Sequence, residues 1–185
     1  MERHFCRVWN PVPLVRVQSS GGRSARYARS APEGPTLKLR AATGADVPAL
    51  ARVAQRSYQF AFAGILEDDV LASRDAEFFA ARFAASLEAL IVAVDNENPL
   101  GFLLMTDGHI DMLFIDPGST GKGVGSRLLD YAERKGAKSL ECFRDNHGAR
   151  RFYERYGWRL DREYDREFAG RNRSFVFYVK GETAP

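Results

Sequence analysis

A chain of 185 residues, 45% apolar and 28% charged, has room for one domain with one sizeable core, and its composition is that of an ordinary globular protein. The formal net charge of +3 comes from residues 1–36, where Arg3, Arg7, Arg16, Arg23, Arg26 and Arg29 face only Glu2 and Glu33. The remainder is slightly acidic, which removes the argument for a nucleic-acid-binding core. Two cysteines make no disulfide framework, and no apolar run approaches the ~20 residues of a membrane span.

Residues 18–35, QSSGGRSARYARSAPEGP, are too rich in Ser, Gly, Arg and Pro to bury an apolar surface, so 1–36 reads as a disordered basic extension. Its arginine and serine content resembles a transit peptide, but Pro11 and Pro13 oppose the amphipathic helix such a peptide needs, and it has no apolar stretch of a secretory signal. Cys142, in a strand-like run, suits a reducing, cytoplasmic compartment. The expected domain spans 37–180, with 181–185 as a tail.

LKLR (37–40) alternates as a strand, and Thr43, Asp46 and Pro48 mark the start of a helix to about Phe60. Gly64 and Glu67–Asp69 interrupt, and a second helix is expected over about 75–87. Leu90–Val94 and Leu100–Thr106 read as strands around a turn at Asp95–Pro99, and His109–Ile115 as a third. A glycine-rich turn and a helix to about Lys135 follow, then a strand over Lys138–Phe143 and a helix over Asn146–Tyr156 closed by Gly157. Strands over about 158–168 and 173–180 form a final hairpin around Ala169–Asn172. Early helices, a meander, then strand–helix–strand–helix is a mixed α/β order.

The turn, IDPGSTGKGVGSRLL (115–129), places Gly121, Gly123 and Gly125 at the start of a helix, where each costs roughly 1 kcal/mol against alanine. Free N–H groups at a helix N-terminus attract anions, and glycines let a phosphate approach the main chain. A P-loop is excluded because Lys122 is followed by Gly123, and the dinucleotide fingerprint fails on spacing, although Glu141 lies at a tempting distance. A flexible turn with no ligand stays open on this cluster alone.

Together, IDMLFIDPGSTGKGVGSRLL and NHGARRFYERYGW resemble the acetyl-CoA motif and the downstream Asn-x-x-Ala-x-x-Phe-Tyr element of the GNAT superfamily of N-acetyltransferases. The order of elements from Leu37 to Lys180 is similar to that family's. The resemblance implies a single α/β domain with a centrally splayed sheet flanked by helices. It implies acetyl-CoA as cosubstrate, no metal, and an acceptor amine on a small molecule or peptide, with a homodimer admitted and neither nucleic acid nor membrane as partner. Backbone groups of Leu113, Phe114 and Ile115 would bond the pantetheine arm. Thr120, Gly121, Lys122, Gly123, Val124, Gly125 and Ser126 would enclose the pyrophosphate. One departure stands out: the family's Gln or Arg at the head of the loop falls on Thr120. A non-catalytic acyl-CoA-binding module is the rival reading.

Asn146, Ala149 and Tyr153 share one helical face, with Phe152 and Tyr156 expected in the core. Asn146 caps its helix or contacts the cofactor, and Ala149 lies beside it. The resemblance makes Tyr153 the acid that protonates the leaving thiolate. A base must free the amine of a proton. His109 is one candidate, at a position where some family members carry a glutamate; Asp111 is the other. Alternation puts both on the strand face of Leu113 and Ile115. The acceptor is expected between Tyr58–Asp69, with three acids, and about 160–174, rich in arginine. Those cues conflict and name no substrate.

Overall fold

The computed structural model describes residues 37–181; the extension and most of the expected tail lie outside the described residues. β1 (Lys38–Ala41) leads through a 3₁₀ turn into α1 (Val47–Phe62). Asp46 anchors this entry: its carboxylate accepts from the Thr43 amide and hydroxyl at 2.7 and 2.8 Å and from both Arg40 terminal nitrogens at 2.7 and 2.9 Å. α2 (Asp68–Ala72) was not expected: Glu67–Asp69, read from sequence as an interruption, are its cap and first turn, where negative charge is favourable. α3 (Ala76–Ala85) is capped by Asp75, which accepts from the Phe78 amide.

β2 (Leu90–Asp95), β3 (Asn98–Thr106) and β4 (His109–Ile115) form the meander, followed by α4 (Val124–Arg134), β5 (Ser139–Phe143), α5 (His147–Arg155), β6 (Trp158–Phe168) and β7 (Arg171–Lys180). The turns are tighter than the sequence suggests. Asn96 and Glu97, with φ of 47° and 62°, close the β2–β3 hairpin, so Pro99 lies inside β3; Ala169 and Gly170, at 51° and 74°, close the last one, so Arg171 and Asn172 lie inside β7. Positive φ at both central residues matches the twist of two-residue hairpins.

The seven strands make one sheet in the order β1-β2-β3-β4-β5-β7-β6. All neighbours are antiparallel except β4 and β5, which the α4 crossover makes parallel. These two pair only at His109↔Ser139 and Ile110↔Leu140 and then part, so the sheet is splayed at its centre. One face packs on α1 and α3 through Leu50, Val53, Tyr58, Phe62, Phe79 and Phe83. The other packs on α4 and α5 through Leu128, Leu129, Ala132, Phe152 and Tyr153. Among the described residues no helix is long and apolar enough to cross a membrane.

β4 does not alternate throughout. Leu104 pairs with Met112 but Met105 pairs with Ile110, so Asp111 is an extra residue, a β-bulge. The bulge reverses the faces before it. Ile110 packs with Leu113 and Ile115, while His109 stacks on Phe177 at 5.9 Å on the α1–α3 side. The expectation that His109 shares a face with Leu113 and Ile115 is therefore corrected. A strand buried along its whole length carries no alternation that would mark the extra residue.

Candidate functional site

At the end of β4, the Asp116 carboxylate accepts from the Gly118 amide and pairs with Arg56 of α1, which fixes the exit of the chain. A 3₁₀ turn, Pro117–Ser119, then leads to the glycines. Gly121 and Gly123 have φ of +80° and +78°, and Gly123 is the N-cap of α4. Their lack of a side chain is a backbone requirement. Gly125 differs: a Cβ there would meet Phe152 and Ile115 at 3.6–3.7 Å, ordinary contact with two buried side chains. Ser126 folds its hydroxyl back onto the Gly123 carbonyl at 2.8 Å.

These residues border a cavity of about 390 Å³ lined by Ile115, Ser119–Gly121, Gly123–Ser126, Phe152, Arg155 and Tyr156. The loop fits an anionic, phosphate-bearing ligand. It presents the N-terminal end of an 11-residue helix, whose first amides lack intrahelical partners. The Thr120 hydroxyl is buried there with no hydrogen-bond partner among the described residues. Lys122 is exposed and stands outside the lining. Leu113 and Phe114 are fully buried in opposite cores, so they can reach a ligand only through the main chain, along the part of β4 that has left β5.

The α5 expectations are partly reversed. Phe152 is in the core as expected, with its ring also bordering the cavity, whereas Tyr156, expected in the core, is 38% exposed at the cavity. Arg155 and Ser119, which sequence reasoning did not single out, line it too; Arg155 falls three residues after Phe152, a spacing that could have revealed it. Asn146 caps α5, accepting from the Ala149 amide at 3.1 Å, and Ala149 is fully buried beside it. Tyr153 is completely buried, packed by Trp158 and Tyr178, with its hydroxyl lacking a partner among the described residues. Burial drives its pKa well above 10. Its neighbour Tyr178 is satisfied, donating to Glu154 at 2.6 Å and accepting from Arg150.

On the opposite face, a polar cluster fills the vertex where β4 and β5 part. His109 Nδ1 lies 2.9 Å from Ser139 Oγ, and Asp111 is 4% exposed with Oδ2 unpartnered among the described residues. Glu141, one residue past the last β4–β5 pair, is 5% exposed. Tyr164 and Arg166 of β6 reach across to it, the Tyr164 hydroxyl onto Oε2 and Arg166 Nη2 onto Oε1 at 3.1 Å. Burial, with a smaller push from the Asp111 charge, raises Glu141 to about 7 against the pull of Arg166 and Arg162.

The two expected acceptor-binding segments do meet, through Glu67. Glu67 pairs with Arg173 and, at 3.0 Å, with Arg171, while Arg173 also donates to the Ile65 and Phe168 carbonyls at 3.3 Å. Glu67 is thus held by two arginines of the second segment, while Arg166 of that segment reaches Glu141 instead.

The chain is 39% identical over 67 residues to peptidyl-lysine N-acetyltransferase YjaB of Salmonella typhimurium, a match covering 30% of this chain and 46% of that protein. It spans less than two thirds of the length of the curated relatives it matches. The solution structure of apo YjaB from Escherichia coli superposes with a TM-score of 0.69 at 22% identity, over 78% of this chain and 97% of that one. PaiA N-acetyltransferase from Thermoplasma acidophilum, in complex with coenzyme A, does so with a TM-score of 0.60 at 21% identity, over 79% and 99%. At these identities the structural likenesses speak for the fold. Residues 67–179, more than half of the chain, match the acetyltransferase (GNAT) domain, and the chain belongs to that family.

Proposed function

We propose that this protein is an acetyl-CoA-dependent N-acetyltransferase acting on a primary amine. The observation that carries it is the splay. β4 and β5 part beyond Ile110 and Leu140, with a glycine-lined cavity at the end of β4, where a thioester arm can lie between the strands. Relatives named as acetyltransferases, including a peptidyl-lysine enzyme, support the reaction class and a lysine-type acceptor.

When bound, acetyl-CoA supplies the thioester that an amine attacks. Amides of Gly121 and Gly123–Ser126, with the Thr120 hydroxyl, hold the pyrophosphate, and Lys122 adds a positive charge nearby. Main-chain groups of Leu113, Phe114 and Ile115 align the pantetheine arm. Asn146 and Ala149 fix the start of α5 and so the line of Tyr153. A phenol whose pKa lies above 10 holds its proton at neutral pH, so the Tyr153 hydroxyl can serve as a proton donor to the sulfur. His109 and Asp111 stand at the vertex, on the side where the acceptor's proton must leave.

The test is turnover of acetyl-CoA against a panel of lysine peptides, polyamines, amino acids and aminoglycosides, read as free thiol and as acetylated product. Thiol release with a matching acetylated amine is the expected result. Tight CoA binding with no acetylated product on any amine would favour the non-catalytic module.

A further inference from the structure

The glycine loop brings no cation into the cavity it borders; the positive charge there comes from another helix. We infer that Arg155, the last residue of α5, is the cationic partner of the CoA pyrophosphate, which is thereby held between the N-terminus of α4 and the final turn of α5. The inference rests on the acetyltransferase reading above and deepens it: the site prefers an acyl group carried on a diphosphate to one carried on bare pantetheine.

Arg155 is the only charged side chain among the described residues that line the cavity. The other cations near the loop are engaged elsewhere or lie outside it. Lys122 is exposed and stands outside the lining, Arg127 donates to the Leu37 carbonyl at 3.1 Å, and Arg56 is paired with Asp116. Arg155 is free to take an anion. No carboxylate among the described residues pairs with it, and its chain neighbour Glu154 instead accepts from the Tyr178 hydroxyl at 2.6 Å. The Arg155 guanidinium lies 5.6 Å from the centre of the Tyr156 ring, which packs on Phe152 at 5.0 Å. Phe152 borders Gly125 of α4, so one aromatic pair runs from Arg155 to the first turn of the helix that presents its amides.

The groups differ in what they offer an anion. Backbone amides and the Thr120 hydroxyl supply donors and partial charges, whereas a guanidinium supplies a full charge and paired N–H groups that match phosphate oxygens. A cation is also favoured at the C-terminus of a helix, so Arg155 is stable there without a carboxylate. Three ligands separate the phosphates. CoA carries the pyrophosphate and a 3′-phosphate, dephospho-CoA keeps only the pyrophosphate, and pantetheine has neither.

The experiment is calorimetric titration of the full chain with CoA, dephospho-CoA and pantetheine, for the wild type, Arg155→Gln, Arg155→Lys and Lys122→Gln. Arg155 is exposed, so its variants should stay folded, which thermal melting checks. Arg155→Gln should weaken CoA and dephospho-CoA alike, by ~10-fold or more, and leave pantetheine unchanged. Arg155→Lys should recover part of the loss, because it keeps the charge but not the paired N–H groups. Lys122→Gln should cost no more than ~5-fold, the effect of an exposed charge near a helix N-terminus. A loss confined to CoA overturns the assignment by moving Arg155 to the 3′-phosphate. A loss shared by pantetheine overturns it too, since Arg155→Gln would then act by disturbing α5, and so does a larger loss in Lys122→Gln than in Arg155→Gln. A folded wild type that binds neither CoA nor dephospho-CoA overturns the acetyltransferase reading itself.

Discussion

At the scale of single residues, Tyr153 and the loop glycines separate function from packing. The Tyr153 hydroxyl is buried without a partner among the described residues, a state that costs about 1–3 kcal/mol. A core aromatic would do better as phenylalanine. Tyr153→Phe should therefore melt at the same temperature or higher and bind CoA as before, while turnover falls at least ~10-fold. Unchanged turnover under conditions where chemistry limits would return Tyr153 to the core. For the glycines, φ of +78° at Gly123 predicts that Gly123→Ala costs roughly 1 kcal/mol through left-handed strain, and calorimetric melting reads this directly. Gly125 sits inside α4 with space for a methyl against Phe152 and Ile115, so Gly125→Ala should melt no lower than the wild type.

Among the elements, the entry to α1 shows charge setting local structure. Arg40 and Thr43 hold the Asp46 carboxyl well below the usual carboxylate range, the Arg40 hydrogen bonds first among the causes. A carboxyl lowered in the folded state adds stability above its unfolded pKa of about 3.9, and that stability is lost as pH falls below it. Asp46→Asn should cost about 1.5–3 kcal/mol at pH 7, and the gap to wild type should narrow in acid; urea titrations at pH 7 and pH 3 check both arms. Equal destabilisation at both pH values would mean that the charge is irrelevant. The β4 bulge belongs to this scale as well. Thr43, Asp46 and Pro48 announced α1 because capping is written in a few adjacent residues, whereas the extra residue at Asp111 emerged only from pairing with β3.

For the whole molecule, the sheet from Lys38 to Lys180 contains both cores within the described residues. We therefore expect a chain starting at Pro35 to keep its melting temperature and CoA affinity; loss of soluble protein on truncation would show that the extension packs on the domain. The sequence by itself determined the order of strands and helices, the glycine turn at the head of α4 and the α5 motif, since period, caps and spacing are local properties. It could not supply α2, whose acids read equally as a loop, nor the exposure of Tyr156 at the cavity and the burial of the Tyr153 side chain in the core beside Phe152. Above all, Glu141 stood out in sequence only as part of a dinucleotide pattern that failed. Its surroundings come from Asp111 on β4 and from Tyr164 and Arg166 on β6, more than 20 residues away in either direction. Only a sheet that parts between β4 and β5 and folds β6 back beside β7 brings those groups to one buried point, and burial is what raises that carboxyl.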